Sequence, residues 1–434
     1  MQFYSTNHKS AKVSLREAVM TGIAADGGLF LPEQIPVIPK AFFNNIAEMS
    51  IREIAYVVAD LLLRPDIDSA TIKRIVYDTF TFDIPLTEIT PNIYALELFH
   101  GPTLAFKDVG ARFLARIISH FNDTLPGGER MKVVVATSGD SGGAVASGFF
   151  GVPGVDVYVL YPHGRLTQFQ RRQFLELGGN VHPIEVNGTF DDCQRLTREV
   201  LADSQLRSQA HITTANSLNI CRLLPQTFYF FYAYADLMAR SGEGSDVVIA
   251  IPCGNLGNLT AALMAMKMGL PVKRLVAATN SNDAVIQFLR TGSFTPFTPV
   301  RTIASAMDVA TPANMPRITA LCDGDFGSLS RMVEGVAASD EMIRESISRL
   351  YTDHHYLVDP HGATAYHALV ENLRPGERGI FLSTAHPSKF PDTLFDSTGV
   401  RLKGRPGHGV RRLAAPIRIP PTRAALRNVL LQKT

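Results

Sequence analysis

Apolar positions along the chain follow two different rhythms. In residues 1 to about 90 the spacing is helical and predicts helices around 14–22, 45–64 and 68–79, with Gly27-Gly28, Pro32, Pro36 and Pro39 between them. From about residue 93 short β-branched runs take over: Lys132–Ala136, Val155–Leu160, Val181–Val186, Asp246–Ile251, Lys273–Ala278 and Gly379–Leu382. Segments of helix length separate them, near 106–121, 166–177, 189–206, 217–240, 259–268 and 362–373. Nearly continuous apolar strands alternating with amphipathic helices predict an α/β fold whose parallel sheets are covered on both faces. Thr291 to Val300, rich in Thr, Pro and Gly, reads as a loop at the surface or the cleft.

Composition narrows the function classes. With 434 residues, 46% hydrophobic and 19% charged, the chain has the balance of a globular protein of two or three domains. A formal net charge of +2 offers no strong field for nucleic acid or for a membrane surface. The basic cluster Arg401, Lys403, Arg405, Arg411 and Arg412 lies among Gly and Pro and reads as a mobile, solvated tail. Cys193, Cys221, Cys253 and Cys322 are far apart, which suggests neither a disulfide framework nor a zinc site and fits a reducing compartment. No apolar run approaches the ~20 residues of a membrane span, and Met1-Gln-Phe-Tyr-Ser-Thr has no signal-peptide core. A cytoplasmic protein is expected.

The chemistry concentrates in a lysine segment and four turns that follow predicted strands. In His100-Gly-Pro-Thr-Leu-Ala-Phe-Lys-Asp108 a Gly-Pro turn delivers Lys107, beside an acid, to the start of a helix anchored by Ala111, Phe113, Leu114, Ile117 and Ile118. A lysine at the rim of a buried cleft loses basicity by desolvation, and its neutral amine can attack an aldehyde. Taken alone, Phe-Lys-Asp reads as a surface lysine on an amphipathic helix.

The first turn, Thr137-Ser-Gly-Asp-Ser-Gly-Gly143, offers hydroxyls and successive N–H groups ahead of the helix predicted at Ala144–Phe149. The second, Pro252-Cys-Gly-Asn-Leu-Gly-Asn258, can fold tightly into a phosphate cradle; it lacks a Gly-Lys-Ser/Thr ending and is no nucleotide P-loop. The third joins Asn216, Ser217 and Asn219 to Arg222, a set suited to an oxyanion. The fourth, Leu382-Ser-Thr-Ala-His-Pro387, puts hydroxyls at the end of a strand, where one can face a ring nitrogen. Gly139-Asp-Ser-Gly-Gly143 also spells the nucleophile signature of trypsin-like proteases, but no upstream histidine has the required setting and the parallel-sheet pattern disagrees.

Together with Tyr4-Ser-Thr, Ala25-Asp-Gly-Gly-Leu-Phe-Leu-Pro32, Asp359-Pro-His-Gly-Ala363 and Thr384-Ala-His-Pro-Ser-Lys389, these segments resemble the threonine synthases in order and spacing over roughly residues 1–395. These are pyridoxal-phosphate enzymes of the tryptophan-synthase-β structural group, fold type II. The resemblance implies two parallel-sheet α/β domains of that fold with a mainly helical N-terminal domain at 1–92. A catalytic region would follow at 93–395, with a smaller subdomain at roughly 120–215, and then a tail at 396–434.

It also implies roles, position by position. Lys107 would carry pyridoxal 5'-phosphate in a Schiff base and later move protons. Gly254, Asn255, Leu256, Gly257 and Asn258 would bind the cofactor phosphate, and Thr384, with Ser383, the pyridine nitrogen. Thr137, Ser138, Asp140 and Ser141 would lie beside the ring and hold the substrate. Asn216, Ser217 and Arg222 would recognise the substrate phosphate. The implied reaction is conversion of O-phospho-L-homoserine and water to L-threonine and phosphate. Asp140-Ser-Gly stands where Asp-Thr-Gly is commoner in the family. Two other readings use the same residues: a phospho-lyase of this fold that releases a 2-oxo acid, and a non-catalytic binding relative. A monomer or a homodimer is expected, and the N-terminal domain and the segment 281–300 are candidates for closing over the substrate.

Overall fold

The computed structural model describes residues 1–122, 130–241, 246–295, 297–402 and 415–432. The N-terminal region is helical, as its spacing predicts, but it also contains a small antiparallel sheet. Its strands are β1 (Gln2–Ser5), β2 (Val13–Ser14) and β3 (Phe30–Pro32), in the order β2-β1-β3. The helix expected over 45–64 restarts at Ile51, because Ser50 and Glu53 form a reciprocal capping box that ends the preceding turn. Its buried face, Ile54, Ala55, Val58, Ala59 and Leu62, joins the same core as Val109, Phe113 and Ile117 of the Lys107 helix. This N-terminal segment therefore shares the catalytic region's core.

Two parallel sheets form the rest. The larger uses β4 (Leu86–Thr90), β5 (Ile93–Glu97), β10 (Asp246–Pro252), β11 (Arg274–Thr279), β12 (Val333–Ala337) and β13 (Glu377–Ser383), in the order β12-β11-β10-β13-β5-β4. Only β4, before the expected boundary at residue 93, runs antiparallel. The smaller uses β6 (Met131–Ala136), β7 (Val155–Pro162), β8 (Val181–Val186), β9 (Ile212–Thr214) and β14 (Ile417–Ile419), in the order β14-β8-β7-β6-β9, all parallel. Every residue of β7 is buried, including Asp156, whose carboxylate takes two hydrogen bonds from Arg130 at 2.7 and 2.9 Å.

The tail is not wholly irregular. β14 extends the smaller sheet, and the helix Arg423–Leu431 buries Leu426, Val429 and Leu430 in its core. Of the basic cluster, Lys403, Arg405, Arg411 and Arg412 lie outside the described residues; the Arg401 guanidinium lies 4.1 Å from the centre of the Phe395 ring. The four cysteines are free and buried, and among the described residues no helix is long and apolar enough to cross a membrane.

Topology positions the site. In the larger sheet the chain runs outward from β10 to β12 and returns as β13 on the other side of β10. In the smaller it runs from β6 to β8 and returns as β9 on the other side of β6. Each reversal opens a crevice at the carboxyl ends of the parallel strands, where ligands of such sheets bind. The four predicted turns follow β6, β9, β10 and β13, so all four open into these two crevices.

Candidate active site

A cavity of about 760 Å³ lies between the sheets, within the roughly 300–1,000 Å³ typical of small-ligand sites. It is lined by Lys107, Ser138, Asp140, Ser141, Asn216, Ser217, Arg222, Gly254, Asn255, Leu256, Gly257, Asn258 and Thr384. Thr137 and Ser383 stand behind its wall. Pro299 and Val300 of the predicted loop also line it, and nothing before Ala105 does.

Lys107 is the first residue of the helix Lys107–Asn122. The turn before it is stitched to the end of β13: Phe106 N donates to Thr384 O at 2.9 Å, and His386 N to Leu104 O at 3.0 Å. The neighbouring acid is a brace. Asp108 is buried and accepts from Thr103 N at 2.9 Å and Thr103 Oγ1 at 2.7 Å. The acid that acts most on Lys107 is Asp140, with Asp359 adding in the same sense. Burial lowers the basicity of Lys107, Asp140 opposes this, and Lys389 and Arg222 reinforce it. Burial would raise the Asp140 carboxyl, but Lys389 and Lys107 together hold it well below the usual carboxylate range.

The first turn is shaped by Thr137, whose hydroxyl accepts from Gly139 N at 2.9 Å and Gly142 N at 2.8 Å. The helix begins at Asp140, earlier than the predicted Ala144, with no side-chain cap on its first N–H groups. Asn216 clasps the backbone of Ala136, accepting from its N at 3.0 Å and donating to its O at 2.8 Å. Its amide thereby extends the β6–β9 pairing beneath the cavity. Arg222 is buried, with Nη1 on Ala215 O and Nε without a partner.

In the cradle after β10, Leu256 takes φ 60° and caps the helix Gly257–Lys267 with no side-chain hydrogen bond. Its first N–H groups are left for an anion. Asn258 accepts from Tyr229 Oη at 2.7 Å, while its buried Nδ2 has no partner. Opposite, Thr384 follows the end of β13 and lines the cavity, whereas Ser383 is wholly buried. An uncapped helix start and an orphaned amide donor on one wall, a depressed lysine on another and a hydroxyl beyond fit a phosphorylated pyridine aldehyde.

Two groups escaped sequence reasoning. The Lys389 side chain is buried, with Nζ 2.9 Å from Asp140 Oδ1 and 3.0 Å from Thr103 O. His361 lines the cavity with Nδ1 2.7 Å from Asp359 Oδ2, and its Nε2 accepts from Ala306 N at 3.2 Å, so the ring proton sits on Nδ1. Both lie in segments that carried the resemblance, but no local spacing shows which distant groups they meet.

Comparison with known proteins agrees with this geometry. Residues 80–384 match the family model described as pyridoxal-phosphate dependent enzyme, and residues 2–80 match threonine synthase N terminus. A threonine synthase from Haemophilus influenzae is 40% identical over 402 residues, covering 93% of this chain and 92% of its own. The chain belongs to the threonine synthase family. Threonine synthase from Escherichia coli superposes with a TM-score of 0.91 at 35% identity, covering 99% of both chains. The structure of PLP-bound threonine synthase from Brucella melitensis gives 0.89 at 28% identity, again covering 99% of both chains. As a member of the threonine synthases the protein is a pyridoxal-phosphate-dependent lyase of fold type II.

Proposed function

We propose that the protein converts O-phospho-L-homoserine and water to L-threonine and phosphate, with Lys107 as the residue that carries the cofactor. The observation that supports this best is the placement of Lys107: an amine of lowered basicity in a cavity walled by two separate turns whose chemistry suits anions. One turn would take the cofactor phosphate on Gly254, Asn255, Leu256, Gly257 and Asn258. The other would take the substrate phosphate on Arg222 and Ser217, with Asn216 fixing their backbone. Thr384 would face the pyridine nitrogen, with Ser383 behind it. Ser138 and Ser141 would hold the substrate carboxylate on a turn shaped by Thr137.

The cofactor, when bound, supplies the electron sink that makes carbon acids of the amino-acid substrate. Thr384 offers a hydroxyl where an aspartate would hold a ring proton, so proton transfer by Lys107 would contribute more. Its neutral amine would take the Cα proton and serve again at Cβ and Cγ. Asp140, paired with the Lys389 ammonium, stays ionised and so remains an acceptor at neutral pH. Arg222 would grip the phosphate leaving Cγ and keep it near Cβ as the base for the incoming water. We further propose a cytoplasmic location, a monomer or homodimer, and no nucleic-acid or membrane partner.

Product analysis with phosphohomoserine tests the reaction: threonine is expected, and 2-oxobutanoate without threonine would mean a phospho-lyase. Arg222→Ala should lower kcat by roughly a hundredfold or more while cofactor affinity changes little, as for removal of one donor to a developing charge. Equal loss of both would remove Arg222 from the substrate.

A further inference from the structure

The two anion-binding turns belong to different sheets, and one buried guanidinium joins them. Arg317, on the helix Met315–Leu321, is fully buried and lies outside the cavity lining. Its Nε donates to Phe30 O at 3.0 Å, at the end of the N-terminal sheet. Nη1 donates to Ser217 O at 2.9 Å and Nη2 to Leu218 O at 2.7 Å, both in the turn after β9. Nη1 also reaches Asn314 Oδ1 at 2.7 Å, and Asn314 Nδ2 donates to Asn255 O at 2.8 Å in the cradle. A Cβ on Gly257 would stand 3.7 Å from Asn314 Nδ2 and 3.8 Å from Ser217 Cβ, so the two turns meet at this glycine.

All four acceptors of Arg317 are neutral. Burial alone pushes its guanidinium down to about 9, with no acid opposing the shift. A buried cation without a counter-ion is costly, and packing alone would be served by an apolar side chain. A planar fork is the one side-chain geometry that reaches carbonyls in three segments at once.

We propose that Arg317 is a positioning residue that fixes the spacing of the cofactor-phosphate and substrate-phosphate turns, and that its unneutralised charge strengthens the hold on both phosphoryl groups. This rests on the assignment of the turns at 254–258 and 216–222 given above. The N-terminal region, which supplies no cavity residue, then acts on the site through Phe30 O.

The test uses holoenzyme of the wild type, Arg317→Lys, Arg317→Gln and Arg222→Gln. Cofactor dissociation is read from the absorbance retained on dilution, inorganic phosphate binding by calorimetry, and folding by circular dichroism and thermal unfolding. Arg317→Lys keeps the charge but cannot bridge the segments. It should stay folded and weaken cofactor and phosphate together, each by roughly tenfold, the scale of one charge-assisted hydrogen bond. Arg317→Gln should weaken both further, and Arg222→Gln should weaken phosphate alone. If Arg317→Lys lowers only the unfolding temperature and leaves both dissociation constants within about twofold of wild type, Arg317 is merely structural and the proposal fails. If Arg222→Gln leaves phosphate binding intact, the assignment of the substrate turn fails, while cofactor retention in Arg317→Lys still decides the proposal. Should Arg317→Lys not fold, Asn314→Ala removes the side-chain link from Arg317 to Asn255 and leaves the backbone contact from Asn314 N to Asn255 O at 3.2 Å; unchanged cofactor retention there would overturn the proposal.

Discussion

Lys389 sets its ammonium 2.9 Å from Oδ1 of Asp140, and the two side chains are only 2% and 9% exposed. The pair acts on Lys107 with opposite signs: Lys389 lowers its basicity and Asp140 raises it. Lys389→Met should therefore move the acid limb of the kcat/KM–pH profile upward, and Asp140→Asn should move it downward. A shift of the same sign in both variants, or none, would separate the pair from Lys107.

Gly110 lets the Lys107 helix pass directly over Arg222. A Cβ there would meet Arg222 O at 2.6 Å and Nε at 3.1 Å. Alanine in a helix interior normally stabilises by up to about 1 kcal/mol relative to glycine, but here it must push backbone, at about 1–3 kcal/mol. Gly110→Ala is expected to melt earlier and to raise KM for phosphohomoserine more than it lowers kcat. Unfolding scans and steady-state kinetics check this; a more stable variant with unchanged KM would refute the close approach.

Burial pushes Asp108 up to about 6 despite its two hydrogen bonds from Thr103. Its folded value exceeds the unfolded one of about 3.9, so the stability it lends is fully present below that value and is lost as pH rises through about 6. The advantage of wild type over Asp108→Asn should shrink by up to about 3 kcal/mol between pH 4 and 7. Denaturant titrations at several pH values measure it. A constant difference would place the titration of Asp108 at its ordinary value.

The parts of the fold legible in the sequence are those whose local pattern matches their final environment. The β-branched runs became β6, β7, β8, β10, β11 and β13, buried on both faces. β9 is only Ile-Thr-Thr, β4 alternates polar residues at a sheet edge, and β12 is interrupted by Glu334 and Gly335, so none announces itself. The helix expected over 189–206 breaks because Asp203 caps Leu206 and starts a new one, a signal masked by apolar spacing on both sides. The four turns were readable because Gly and hydroxyl residues follow strands. Lys389, His361 and Arg317 were not, since their partners lie far off in sequence and a charged residue's burial leaves no periodic trace.

Whether Lys107 holds the cofactor is read from borohydride reduction of the holoenzyme followed by peptide mapping. The reduced pyridoxyl group should be recovered on the peptide containing Lys107 and be absent from Lys107→Ala treated alike. Recovery on Lys389 or another lysine, or no label on wild type, would contradict it.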